Sequence, residues 1–527
     1  QFSPQQFSPQ QFSPQQFSPQ QFSPQQFSPQ QFSPEQQAYA NAQSRSLIGV
    51  AGDNDLAPRS FSFNTWNNTG SVYVQVRGRN GVFTPLVPFE VRVTRLDGVC
   101  EGVQVIDGWD AGVSGSYRTV ILADLDRVEG TPAELSALQA KLAQLAQRED
   151  GIIIDIRSAA YAIVQAARAE AEASPGCPFA KTQLAEKIKA LYRNVSGLEY
   201  IVIVGDDNAV PFFRSPDNAP LGPEEQYEPP LVDDSPAQAA LRLNYILSQD
   251  AYGARTSISF GNDSLPIPAI PVGRLVETAA QINTMLDAYL ALPGGVVPTP
   301  TSALVTSYDF LVDAGEEVRD QLSAGLGSGG TVDELVSPAS ESFLDPNAWT
   351  ADDLRAALLD ERHDLIFLAG HFSAASTLAA DYATTLYAGE LLTANTDLTN
   401  AIVFSAGCHS GYNLPDSAAV PGVTRSLDWA SAFAARGATL IAGTGYQYGD
   451  TDFLAYSEQL YAEFSRQLRV GQPGEAVAIG DALVAAKLAY LSGTPRLEGI
   501  DDKALRIATI FFQAEDGIRD IGVTGVQ

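Results

Sequence analysis

The run Asp364-Leu365-Ile366-Phe367-Leu368-Ala369-Gly370 delivers His371, and the run Ala401-Ile402-Val403-Phe404-Ser405-Ala406-Gly407 delivers Cys408. Each run is short, apolar and closed by glycine, the pattern of a strand buried on both faces of a parallel sheet. In open parallel sheets, ligands and chemistry collect outside the carboxyl ends of the strands. If these two strands are neighbours, an imidazole and a thiol meet at one sheet edge. A histidine within reach of a cysteine can take its proton, and the thiolate is a strong nucleophile. The plainer alternative is an inert buried cysteine and a satisfied core histidine. Against it stands the count: the chain has three His (His363, His371, His409) and three Cys (Cys100, Cys177, Cys408), and two of these six residues end consecutive apolar strands.

The chain of 527 residues exceeds one ordinary core, so two or three domains are expected. With 45% hydrophobic and 18% charged residues it has the composition of a soluble globular protein. No apolar run reaches the ~20 residues that cross a bilayer, so no transmembrane segment is expected. The net charge of -30 argues against nucleic acid or an anionic membrane as a partner. Three cysteines give no disulfide framework. A Cys100–Cys177 pair would leave Cys408 free, and the spacing does not decide whether it forms. The sole methionine is Met285, so no initiator or signal peptide is expected in this stretch.

Residues 1–35 are seven copies of Gln-Phe-Ser-Pro-Gln, the last ending in Glu35. Proline in every fifth place excludes a helix and spoils a sheet ladder, so 1–56 reads as a disordered repeat and linker. Residues 57–115 alternate in period two around 71–77 and 89–94, which predicts a small β-rich unit. From Tyr117 strands alternate with helices, the mark of α/β architecture. Strands are expected at 118–124, 152–156 and 200–206, with a helix opened by Thr131-Pro132 and running to about Arg148. Residues 214–265, rich in Pro, Asp and Gly, read as a long loop. A strand at 267–275 and a helix at 279–290 close a first α/β subdomain, 116–298. A second, 299–510, holds strands at 303–307, near 332, and at 438–442, besides the His and Cys strands. Residues 511–527 closely resemble the translation of a sequencing adapter and read as an artefactual tail.

With these stretches in order, the chain resembles the gingipain family of cysteine peptidases, in the caspase-like clan. The resemblance runs from about 117 to 510. It rests on Tyr200–Pro211 (YIVIVGDDNAVP), Asp250-Ala251-Tyr252-Gly253, Val272-Gly273-Arg274, and the strand Phe404-Ser405-Ala406-Gly407-Cys408. The clan places a His after one strand and a Cys after the next, and here the two lie 37 residues apart. One departure stands out. The family usually reads Gly-His-Gly, and this chain has Gly370-His371-Phe372.

The resemblance implies a caspase-like three-layer sandwich with parallel sheets in two subdomains. It implies an endopeptidase acting on protein or peptide substrates through a Cys-His dyad and an acyl-enzyme. Cys408 would attack the carbonyl, and His371 would protonate the leaving amine and then activate water. The backbone N–H groups of Phe372 and Cys408 would form the oxyanion hole. Arg-specific relatives carry an acid in the primary pocket, a place that Asp263 would fill here, with Tyr446 or Tyr448 as its aromatic wall. His409 reads as a solvent-facing loop residue without a role. No cofactor is required and no metal site is assigned. Relatives hold structural calcium, for which Asp206-Asp207 and Asp233-Asp234 are the acidic loops. Relatives are exported, which places the chain outside the cell or on its surface. The sequence leaves the oligomeric state open. Two competing readings are a caspase-like domain that has lost catalysis and binds a partner at the cell surface, and a structural surface protein with the repeat as stalk.

Overall fold

The computed structural model describes residues 74, 90–93, 98–260, 263–337, 345–424, 427–450, 453–469, 476–511 and 517–519. The repeat lies outside the described residues, as does most of the expected β-rich unit. Residues 90–93 of that unit carry no strand.

The centre is one ten-stranded sheet. Its strands, in chain order, are β1 (Thr119–Ala123), β2 (Gly151–Asp155), β3 (Tyr200–Val204), β8 (Val272–Leu275), β9 (Ser302–Ser307), β10 (Thr331–Val336), β11 (Leu365–Leu368), β15 (Ile402–Ser405), β16 (Thr439–Gly443) and β17 (Ala508–Phe511). Across the sheet they run β10-β9-β11-β15-β16-β17-β8-β3-β1-β2. Neighbours are parallel except at one seam, where β17 is antiparallel to β16 yet parallel to β8. The two expected sets of strands therefore join in one sheet whose halves run in opposite directions. The seam brings the amino end of β17 to the carboxyl edge of the β16 half.

The strands form because their residues alternate between two buried faces. Ile366, Leu368, Val403 and Leu440 enter one apolar cluster, while Leu365, Phe367, Ile402, Phe404 and Ile441 enter the other. Helices cover both faces. Helix α1 (Pro132–Arg148) starts at the expected cap, with Glu134 and Thr131 bonding reciprocally, and buries Leu138, Leu142 and Leu145. Helices α2 (Ala162–Ala173) and α3 (Pro178–Ala190) pack beneath the first half. A disulfide, Cys100–Cys177, ties the preceding segment to the start of α3. Among the described residues no helix is long and apolar enough to cross a membrane.

Residues 214–265 are not a long loop. They hold β4 (Phe213–Pro216) paired with β5 (Tyr245–Ser248), helix α4 (Pro236–Arg242), and β6 (Ala254–Phe260) paired with β7 (Asp263–Pro268). Proline density misleads because Pro236 sits at the first turn of α4, behind the Ser235 cap, where it favours a helix. Phe511, assigned to the tail from sequence, is fully buried and ends the central strand β17.

Candidate active site

Strands β11 and β15 are parallel neighbours, with Leu368 opposite Ser405. His371 and Cys408 each follow three residues later, so both stand at the same sheet edge. Gly370 makes the first exit. Its φ of +150° and the Tyr308 ring, 2.3 Å from where a Cβ would sit, leave room for no other residue. The His371 ring lies edge-on to Tyr308 at 5.1 Å and beside Phe310 at 5.3 Å and Tyr382 at 5.8 Å. Burial among these rings pushes its pKa down to about 4. It is therefore neutral near pH 7.

The Cys408 turn is clamped by Gln447. The Gln447 amide donates to the Ser405 carbonyl at 2.9 Å and the Gly407 carbonyl at 2.7 Å. The Cys408 thiol points to the Gln447 carbonyl at 3.5 Å. Cys408 is half-buried, and burial pushes its thiol up to about 11. At rest Cys408 is a neutral thiol and His371 a neutral imidazole.

Phe372 joins the two exits. It opens β12 (Phe372–Ser373), which pairs with β13 (Ser376–Leu378) in an antiparallel turn. Leu378 N–H donates to the His371 carbonyl at 3.0 Å. That bond makes Phe372 opposite Thr377 a non-hydrogen-bonded pair, so the ladder does not consume the Phe372 N–H. The Phe372 ring packs on Trp429 at 5.6 Å and directly on Gly407, whose Cβ would lie 2.1 Å from it.

His409 is not solvent-facing. It is buried, in the left-handed region at φ +57°, with its ring stacked on Tyr227 at 3.6 Å. Its Nε2 meets Glu224 Oε2 at 2.8 Å. Nothing in the local sequence signals this, because Glu224 lies in the segment that reads as loop. Glu224 also accepts from the Tyr446 N–H at 2.8 Å and from Lys503 Nζ at 2.7 Å. Asp217 takes Lys503 at 2.6 Å. Lys503 comes from helix α11 (Gly499–Ile507), which feeds β17 and so lies at this same edge. Burial works to raise Glu224, but Lys503 and His409 outweigh it and hold the carboxyl down. Burial raises Asp217.

Of the three residues expected to form the pocket, Tyr446 and Tyr448 do gather here. They form an apolar cluster with Ala219 and Ile500, against which Cys408 packs. Asp263 opens β7 instead. That hairpin buries Phe260 and Leu265 with Ile479 and Leu483 of helix α10 (Ile479–Gly493), a different cluster. Glu224 is the carboxylate beside Tyr446 among the described residues, and Asp217 shares Lys503 with it.

The Asp206-Asp207 loop does not fit calcium. Both Asp207 oxygens bind the Arg214 guanidinium, and Asp206 Oδ1 caps its own turn at Asn208 and Ala209. In the other loop, Asp233 Oδ1 accepts from Gln238 at 3.1 Å and Asp234 Oδ1 faces Arg242 at 3.4 Å.

No known protein family and no curated protein matches this chain. Among solved structures, a chain of the Saccharomyces cerevisiae separase–securin complex aligns with 47% of this chain and 14% of its own length. Its sequence identity is 9% and its TM-score 0.31, too low to carry an argument.

Proposed function

We propose that this chain is a cysteine endopeptidase with a caspase-like fold of the gingipain type, acting on protein or peptide substrates. The observation that carries the reading is the shared edge: His371 and Cys408 each lie three residues beyond a matched register position on adjacent parallel strands. A substrate carbonyl entering between them meets the Cys408 sulfur. As the S–C bond forms, the thiol proton passes to His371, whose ring is neutral at rest. The oxyanion takes the N–H groups of Cys408 and Phe372. When the C–N bond breaks, the imidazolium returns its proton to the leaving amine. Water, deprotonated by His371, then releases the acid.

The Cys100–Cys177 disulfide supports an extracellular or cell-surface location, because such bonds persist in oxidising compartments. The test of activity is Cys408→Ala. It abolishes peptide hydrolysis and leaves the melting temperature within about 2 °C. Unchanged hydrolysis defeats the proposal.

A second reading has its own observation. The Phe372 ring fills the space over Gly407 that glycine in the family pattern leaves open. It favours a caspase-like domain that binds a partner without turnover. A thiol-directed peptide probe separates the two, since only the enzyme is labelled at Cys408 at a rate that depends on His371.

A further inference from the structure

Helix α11 commits one face to the segment 215–224. Gly499 fits against the Asn218 carbonyl, where a Cβ would lie at 2.0 Å. One turn on, Lys503 reaches Asp217, and at the next turn Arg506 donates to Ser215 Oγ at 2.8 Å. Positions 499, 503 and 506 share a helix face, so the three contacts form a single seam.

At the middle of that seam the Lys503 ammonium is fully engaged. It donates to Asp217 Oδ2 at 2.6 Å and to the Gly222 carbonyl at 2.8 Å, and pairs with Glu224 Oε1 at 2.7 Å. It also sits 5.3 Å from the Tyr446 ring centre and 5.6 Å from that of Tyr448. Two carboxylates, a carbonyl and two aromatic faces make a complete receptor for a primary ammonium. Lys503 is 1% exposed, and Cys408 packs on the same tyrosines.

We propose that Asp217, Glu224, Tyr446 and Tyr448 form a cation-binding box beside Cys408, and that Lys503 is its built-in occupant. Lys503 is then the specificity-determining residue. The two carboxylates of the box are already paired with Lys503 and offer nothing to a basic substrate side chain, so the chain has no preference for bonds after Lys or Arg. A vacated box takes an alkylammonium. The cleavage preference rests on the peptidase reading; the box itself does not.

The experiment uses the full chain and Lys503→Ala, which removes a propylammonium's worth of side chain. Melting is followed with n-propylammonium or with uncharged 1-propanol. In the variant, n-propylammonium raises the melting temperature by about 1–2 °C at tens of millimolar, and 1-propanol does not. The wild type responds to neither. The triple variant Asp217→Asn, Glu224→Gln, Lys503→Ala loses the response. If Lys503→Ala folds only with n-propylammonium present, that too is the expected result. Failure to fold in its presence, or equal responses in wild type and variant, overturns the box. A fluorogenic panel gives the separate readout of specificity. Wild type shows no preference for Lys or Arg, and Lys503→Ala gains about tenfold in kcat/KM for Lys. A wild-type preference for basic residues overturns the specificity claim. Absence of all hydrolysis, with the melting response intact, counts against the peptidase reading alone.

Discussion

Phe372 occupies the space that a side chain at Gly407 would need, its Cδ2 lying 2.1 Å from the position of a Cβ there. The two residues belong to the two exits that carry His371 and Cys408. This contact therefore packs one exit directly against the other. Gly407→Ala is expected to cost about 1–3 kcal/mol through overpacking, measured by urea unfolding. Phe372→Gly relieves it, so the double variant recovers most of that loss. Phe372→Gly alone raises kcat/KM by about tenfold if the ring restricts access, while melting falls because the packing on Trp429 is lost.

Cys408 behaves as a half-buried neutral thiol. Its pKa near 11 predicts that alkylation by iodoacetamide accelerates about tenfold per pH unit from 7 to 10, with no plateau near 7. A plateau near neutrality would mean a pre-formed thiolate–imidazolium pair, contrary to the environment described.

Much of this was legible in the sequence, and the reasons are specific. The strands ending at His371 and Cys408 showed because each is apolar on both faces, a pattern only a covered parallel sheet uses. Thr131 and Pro132 announced α1 through local capping chemistry, which involves no distant partner. The misses were long-range. Lys503, Asp217, Glu224 and His409 meet only because β17 runs antiparallel at the seam and returns α11 to the sheet edge where His371 and Cys408 stand. No short-range spacing encodes that reversal. The hairpins within 213–268 were hidden by prolines that mark element starts as readily as loops. Asp263 opens a hairpin whose core lies in a different apolar cluster from Tyr446 and Tyr448, a long-range placement that no local spacing encodes.

Acid stability follows from Asp207. Burial would raise its carboxyl, but the Arg214 charge and paired hydrogen bonds outweigh it and bring it down to about 2. Its unfolded value is near 3.9. A depressed carboxyl contributes stability that is complete above the unfolded pKa and lost as pH falls towards the folded one. Urea unfolding should therefore show roughly 2 kcal/mol vanishing between about pH 4 and pH 2. Asp207→Asn flattens that window and costs about 3–5 kcal/mol at pH 7, because Arg214 is left buried and unpaired.

His371 acts over a different window. Its folded pKa near 4 lies below the unfolded value, so the unfolded chain takes up a proton first as pH falls. Stability decreases from about pH 6.5 down to pH 4 on this account. His371→Asn removes that part of the slope, read by urea unfolding across the same range.

The Cys100–Cys177 bond closes a loop with a sequence separation of 77. Replacing both cysteines by serine is expected to cost about 2–5 kcal/mol. The bond lies with the first half of the sheet, so peptide hydrolysis at 25 °C should survive its loss.

The most direct measurement compares Cys408 labelling by a peptidyl acyloxymethyl ketone in wild type and His371→Ala, with mass spectrometry to locate the adduct. Cooperation of the two residues predicts a single adduct at Cys408, formed at least about 100-fold faster in wild type. Equal slow rates in both proteins, matching an ordinary buried thiol, would contradict it.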